Sequence, residues 1–396
     1  MVKKKSTICI VGGGFGGLYA ALRLAQLPWS QAEKPEIVLI DQSDRFLFSP
    51  LLYELISREM QAWEVAPPFA EILEDTGVIF QQAKVTDINI PEKLVKCEDH
   101  TQFSYDFLVI ALGGYTPLTI VPGAADYALP FRSLKDATIL AERLRILEKS
   151  DREKIRVAIV GGGYSGVELA CKISDRLGNR GRVRLIERGD NILQNSPKFN
   201  QETAETALSS KKVWLDLNTE VVKIGPETIT LEYQAQLDTI PVDLVLWTIG
   251  TKVSPLVERL PLKKAKNGKL MTNSYLKAVE ENNIFALGDL AYCEDEKGKP
   301  LPATAQVAFQ QSDYCAWNIW ATITQRPLLS FRYQPLGEMM ALGVDNATIC
   351  GLGVKLDGPL AYLSRRLIYL YRFPTLKHQL NVGINWITQP LIEFLS

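Results

Sequence analysis

The most informative pattern along the chain is a short run of β-branched and apolar residues that breaks into clustered glycines and then reopens at helical spacing. Residues 7–17, TICIVGGGFGG, show it first, with apolar positions continuing through Leu18–Leu27. Residues 156–166, RVAIVGGGYSG, repeat it, and Val167–Leu177 continue the second copy. Each copy is followed by another apolar run that ends in an acid, IVLID at Asp41 and VRLIE at Glu187. Each half closes on a further matched run, YDFLVIALGG (105–114) and VDLVLWTIGT (242–251). Short β-like runs such as 84–90 and 213–224 fill the space between. Strands alternating with helices predict parallel sheets covered on both faces, hence two doubly wound α/β domains. The run NIFALGDLA (283–291) reads as a strand returning to the first half. The expected domains are therefore 1–117 with 276–332, an inserted 118–275, and a third unit, 333–396, whose texture differs.

The glycines give these halves a chemistry. Gly12, Gly14 and Gly17 form G-x-G-x-x-G between a strand and a helix. The first allows a tight turn, the second lets backbone approach a diphosphate, and the third lets helix pack on strand. The free N–H groups of the helix N-terminus favour the anion. Asp41 stands where a carboxylate binds ribose hydroxyls. A Gly-rich structural turn is the bland alternative, but strand, helix and distal acid are all in place. Gly161, Gly163 and Gly166 repeat the logic with Glu187 as the acid. Both halves thus read as Rossmann-like dinucleotide domains, the first for FAD and the second for NADH or NADPH. Glu187 repels a 2′-phosphate, whereas nearby Arg182, Arg184 and Arg188 could accept one, so the nicotinamide stays open. Around the flavin the candidates also include Gly13, Phe15, Gly16, Pro50, Val85, Ala111, Gly113, Gly288, Asp289 and Ala305. Ser165 and Gly250 join the nicotinamide set. Asp289, in ALGDLA, is either a carboxylate for a flavin ribityl chain or a helix N-cap.

Composition narrows the classes. A net charge of −1 over 396 residues gives no basic field for nucleic acid. Six cysteines carry no CxxC, which argues against a metal site and against a vicinal dithiol redox centre. No secretory leader is read at the N-terminus, and no run of about 18 apolar residues predicts a membrane span.

Three further features carry expectations. Glu168 falls in the first turn of the second motif's helix, where it either complements the helix dipole or orients the donor and relays protons. Gln306 and Gln310, in AQVAFQQ, share one helical face, which is either packed or able to bond a quinone carbonyl. In 360–373, Leu360, Leu363, Leu367 and Leu370 recur at helical spacing, with Arg365, Arg366 and Arg372 on a separate arc. That pattern predicts an amphipathic helix on an anionic membrane surface, with a homodimer or inter-domain helix as the competing reading. His100 and His378 are assigned no role.

With both turns, ALGD and AQVAFQQ in place, the chain resembles the type II NAD(P)H:quinone oxidoreductases end to end. The resemblance implies a glutathione-reductase-like fold, non-covalent FAD, an NAD(P)H donor and a membrane quinone acceptor. It also implies that Gln306 and Gln310 line the quinone site and that Glu168 lies beside the nicotinamide. The segment DQSDRFLFSPLLYEL (41–55) looks like the flavin-proximal loop, with Ser49-Pro50 where superfamily members often carry a redox cysteine. The continuation YELISREMQAWEVAPPF (53–69) is most similar to the demethylphylloquinone reductase branch, which implies a naphthoquinone acceptor with plastoquinone as a second candidate. The place implied is cytoplasmic, peripheral on the inner face of a plasma or thylakoid membrane. A Trp-Arg pair expected in the C-terminal helix is met loosely, by Arg365-Arg366. The rivals are a soluble ferredoxin or rubredoxin reductase and a nucleotide-sensing flavoprotein with little turnover.

Overall fold

Two five-stranded parallel sheets organise the computed structural model, which describes residues 5–395 and side chains through Thr388. The chain divides into two compact units, Met1–Phe48 with Ala66–Tyr115 and Thr251–Gln334, and Ser49–Val65 with Thr116–Gly250 and Pro335–Ser396.

In the first unit the central strand is Thr7–Val11. Glu36–Asp41 and then Ile79–Gln82 lie on one side of it, and Phe107–Ile110 and then Ile284–Ala286 on the other. All four pairings are parallel. Ile8, Cys9, Ile10 and Val11 have no exposed surface, as expected for a strand covered on both faces. The helix Phe15–Gln26 packs against the helix Ala305–Ile323, which brings AQVAFQQ under the first glycine turn's helix. An antiparallel meander, Val85–Asn89, Leu94–Cys97 and Gln102–Ser104, adds Ile88 and Val95 to the core.

The second unit repeats the order. Ile155–Val160 is central, Gly181–Ile186 and Trp214–Asp216 lie on the acid side, and Leu244–Trp247 and Ala128–Pro130 on the other. Its meander, Thr219–Ile224, Thr228–Tyr233 and Gln236–Pro241, packs Ile224, Ile229 and Leu231 on Ala158, Val160 and Ile186. The helix Leu134–Lys149 starts on a reciprocal cap, Ser133 accepting from the Asp136 N–H and Asp136 from the Ser133 N–H. After Pro335 come an antiparallel sheet, Glu338–Ala341, Ala347–Gly351 and Val354–Asp357, and the helices Gly358–Arg372 and Leu376–Leu395.

These units cut the chain differently from the expected boundaries. Residues 251–275 belong with the first unit, because Lys252–Val253 pairs with Gly114–Tyr115 and Leu270–Met271 with Ala291–Tyr292. Residues 333–396 form no separate third body. The C-terminal sheet packs on the helices Tyr164–Leu177 and Lys198–Ser210, where the Thr348 hydroxyl donates to Asn200 Oδ1 at 2.8 Å in a buried site. Ser49–Val65 joins the second unit through buried ion pairs described below.

Candidate active site

The first glycine turn is a backbone device closed by an acid. Gly12 has φ +100°, and a Cβ there would sit on the Ala111 carbonyl, so the position requires glycine. Gly17 leaves no room for a Cβ against the Gly12 carbonyl, which fixes how closely the helix approaches the strand. Gly14 differs, because a Cβ at this helix N-cap meets no heavy atom within 4 Å. Open space at a helix N-terminus is what a diphosphate needs. Asp41 accepts from the Gly13 N–H at 2.6 Å and the Ser43 N–H at 2.7 Å. Burial raises its pKa above the usual carboxylate value despite those bonds. Each oxygen keeps a second lone pair for a ribose hydroxyl. Phe15 buttresses the turn from below, edge-on to Phe46 and Phe48 at 5.2 and 5.3 Å. Gly16 lies over Leu287, and Gly113, at φ +64°, faces open space. The ALGD turn at Gly288, φ +72°, is tied to the AQVAFQQ helix by its N–H donating to Gln311 Oε1 at 2.7 Å. Asp289 and Ala305 flank that tie, and Lys269 lies in the field of Asp289. Val85 stands apart in the meander, paired with Cys97. The cradle therefore fits a flavin dinucleotide: an open N-terminal glycine, a closed helix–strand contact and a pinned acid.

The second turn repeats these contacts. Gly161 has φ +114°, Gly166 has no room for a Cβ against the Gly161 carbonyl, and Gly163 is open. Glu187 accepts from the Gly162 N–H at 2.7 Å and the Gly189 N–H at 2.8 Å, as Asp41 does in the first half. A cleft of about 240 Å³ opens here, lined by Gly162, Gly163, Tyr164, Glu187, Asn191 and Ser196. Gly250, φ +81°, ends the closing run. Ser165 shares a 2.9 Å hydrogen bond with the Tyr53 hydroxyl, which ties the turn to the segment 49–65.

Glu168 is buried at 5% exposure, and its neighbours were not foreseen from the sequence. Its carboxylate accepts from the Ala341 N–H at 2.8 Å and from Arg365 at 3.4 Å. Burial outweighs these partners and pushes its pKa up to about 7. Arg365, expected on an exposed basic edge, is fully buried instead. It pairs with Glu54 and donates to the Pro50 carbonyl at 2.7 Å. For Glu54 burial pulls upward, but Arg365 and Lys172 together bring its pKa below the ordinary value. Arg366 is also turned inward, its guanidinium 4.3 Å from the Trp386 ring centre and bonded to the Tyr362 hydroxyl at 3.0 Å. Arg366 and Trp386 thus meet across the two C-terminal helices. Lone arginines cannot be left in an apolar interior, and here two acids, Glu54 and Glu168, and the faces of Tyr362, Tyr369 and Trp386 compensate them.

The two glutamines divide. Gln306 accepts from the Tyr333 hydroxyl at 2.7 Å. Gln310 is bound at both ends of its amide by the Gln334 backbone, donating at 2.8 Å and accepting at 3.0 Å. Gln310 therefore anchors the chain after the helix, which is the packed-face alternative for that residue.

A family model described as pyridine nucleotide-disulphide oxidoreductase matches residues 6–312. The chain belongs to that family. It is 58% identical, over 100% of its length and 99% of the relative's, to demethylphylloquinone reductase NdbB of Synechocystis sp.. It is 42% identical to the alternative NAD(P)H-ubiquinone oxidoreductase C1, chloroplastic/mitochondrial, of Arabidopsis thaliana, over 99% of this chain and 82% of that one. Among solved structures it resembles NDH2 of Plasmodium falciparum in complex with NADH, at TM-score 0.87 and 19% identity, covering 98% of both chains. That likeness shows the fold.

The chain is an oxidoreductase of this family. Its six cysteines are free. Five are buried, and burial raises the thiols of Cys9 and Cys171 to about 12, far from a reactive thiolate. Among the described residues no His, Cys, Asp and Glu cluster could hold a metal, and no helix is long and apolar enough to cross a membrane.

Proposed function

We propose that this chain is an FAD-dependent NAD(P)H:quinone oxidoreductase that reduces a prenylated naphthoquinone of the demethylphylloquinone type by two electrons, with plastoquinone as a second acceptor. The observation that carries the reading is the pair of matched turns, each with an open N-terminal glycine and a doubly bonded acid. Two such turns are a provision for two dinucleotides, and the relative with 58% identity gives the acceptor class. The balance is NAD(P)H plus quinone plus one proton, giving NAD(P)+ and quinol. The chemistry supplied by bound FAD is acceptance of a hydride and delivery of two electrons. The chain's own residues hold the parts. Gly12, Gly14, Gly17, Asp41, Gly113 and Asp289 hold the flavin nucleotide. Gly161, Gly163, Gly166 and Glu187 hold the donor, and Gln306 is the candidate contact to a quinone carbonyl. Glu168 is the buried group whose proton can be exchanged near neutral pH.

The chain works on the surface of a membrane. Leu360, Leu363, Leu367 and Tyr371 on one C-terminal helix, and Leu376, Leu380 and Ile384 on the next, are 54–77% exposed. An apolar face on paired helices suits the acyl boundary of a bilayer. Because Arg365 and Arg366 point inward, apolar contact rather than anionic lipid dominates the attachment. Flotation with zwitterionic vesicles should retain the protein, and Leu367→Glu with Leu380→Glu should release it while water-soluble quinones are still reduced. The functional reading is tested by NADH and NADPH oxidation by the purified yellow protein, with and without a short-chain naphthoquinone. Strong stimulation by the quinone is expected. No stimulation over oxygen alone would sink the proposal.

A further inference from the structure

The C-terminal helix Gly358–Arg372 has two unlike faces. One carries the exposed leucines, and the other drives a single guanidinium into the interior of the second unit. We propose that Arg365 is a positioning residue that holds the Pro50 carbonyl, Glu54 and Glu168 in one arrangement and so governs when Glu168 carries its proton during turnover. The inference rests on the function proposed above for what turnover is.

Three observations carry it. Among the described residues Arg365 alone touches all three groups, bonding Pro50 at 2.7 Å, Glu168 at 3.4 Å and one oxygen of Glu54 through a single N–H. A planar, five-donor guanidinium can serve several acceptors at fixed angles, which a lysine ammonium cannot. The cluster is sealed, with Glu54, Lys172 and Arg365 at 0% exposure. Charges interact strongly in such a site. It is also incompletely satisfied, since Glu54 Oε2 and Arg365 Nε have no hydrogen-bond partner among the described residues. A buried network with orphan atoms is poised to change when one member gains or loses a proton.

The groups facing Glu168 come from every packed element. Arg365 and Tyr369 lie on the C-terminal helix, and Glu54 and Tyr53 on the segment 49–65. Lys172 and Cys171 lie on its own helix, and the Ala341 N–H on the C-terminal sheet. Lys172 is committed mainly to Glu59, which also accepts from the Tyr362 hydroxyl. Arg365 is therefore the cation that sets the balance between Glu54 and Glu168. Removing it favours protonated Glu168. Neutralising Glu54 frees the guanidinium for Glu168, removes a like charge and favours the carboxylate.

The test is an infrared titration of the carboxyl band in the full-length flavoprotein as isolated, with Glu168→Gln identifying the band, together with the pH profile of naphthoquinone reduction. In Arg365→Gln the Glu168 band and the matching limb of the profile should move to higher pH by about one to three units, the usual effect of an adjacent guanidinium on a carboxylate. Arg365→Lys should fall between this variant and the wild type. Glu54→Gln should move both to lower pH. It is the same shape as the native side chain, so it keeps the inference testable if Arg365→Gln fails to fold. A Glu168 band that stays at its wild-type pH in these variants, whatever their turnover, would overturn the proposal. A wild-type protein that fails to reduce naphthoquinone strikes the functional reading alone, because the infrared titration needs no quinone.

Discussion

Gly163→Ala separates the protein's own needs from those of its donor. At this helix N-cap the backbone is extended, φ −79° and ψ −174°, which alanine adopts freely. The new Cβ meets no heavy atom of the protein within 4 Å. Two small stability terms remain. Alanine is a poorer N-cap than glycine by about 1 kcal/mol or less. Its stiffer unfolded chain returns about 0.4–1 kcal/mol. The melting temperature should therefore stay within about 2–4 °C of the wild type. The methyl group does occupy the space where a diphosphate must approach the backbone. Shifting a bound substrate by roughly 1 Å costs about 100-fold in rate, or about 2.7 kcal/mol. We expect kcat/KM for NADH to fall by about that factor, with FAD content and the KM for quinone unchanged. Steady-state kinetics, flavin absorbance and a thermal melt read all of these on one preparation. The reasoning fails if Gly163→Ala keeps kcat/KM for NADH within about threefold of the wild type. It fails equally if the variant loses FAD instead. Gly14→Ala, also in open space and at φ −73°, should show the complementary result, with flavin lost and the fold intact.

Gly17→Ala places a Cβ against the Gly12 carbonyl and must push helix from strand, so it should cost about 1–3 kcal/mol or more and yield colourless protein, checked by flavin absorbance and denaturant midpoint. The carboxyl of Glu168 is raised by burial to about 7 in the folded state, above its unfolded value, so the folded chain binds the extra proton and loses that stability as pH rises from about 4.5 through 7. Glu168→Gln has no proton to lose, and its melting temperature relative to the wild type should improve between pH 5 and pH 8; a constant difference would count against the assignment. Trp386→Leu removes the stacking on Arg366 and the 3.0 Å indole bond to buried Glu64, while the Asn385 bond to that carboxylate stays. It should lower stability by about 1–3 kcal/mol, and an unchanged denaturant midpoint would show that Arg366 is held by other groups.

What could be read from the sequence follows the range of the interactions. The two turns were legible because their contacts are local: Gly12 to Gly17, and Gly161 to Gly166, are five-residue backbone closures whose requirement for glycine is written in the residues themselves. The acids were legible because a parallel strand pair brings Asp41 to Gly13 and Glu187 to Gly162 in a register fixed by the fold. The ion-pair cluster was not, and the failure has a physical cause. Arg365, Glu54 and Glu168 are separated by more than a hundred positions, and helical spacing reports only that Arg365 lies off the leucine stripe. A basic residue beside an apolar stripe has the same periodicity whether it faces lipid headgroups or a buried carboxylate. The discriminating signal lies in the partner. Glu54, in the apolar run PLLYEL, and Lys172, in ELACKIS, are charged residues set among core positions, and such residues are buried only when paired. Because Lys172 is committed mainly to Glu59, buried Glu54 needs a second cation, and Arg365 is the residue of the C-terminal helix that supplies it.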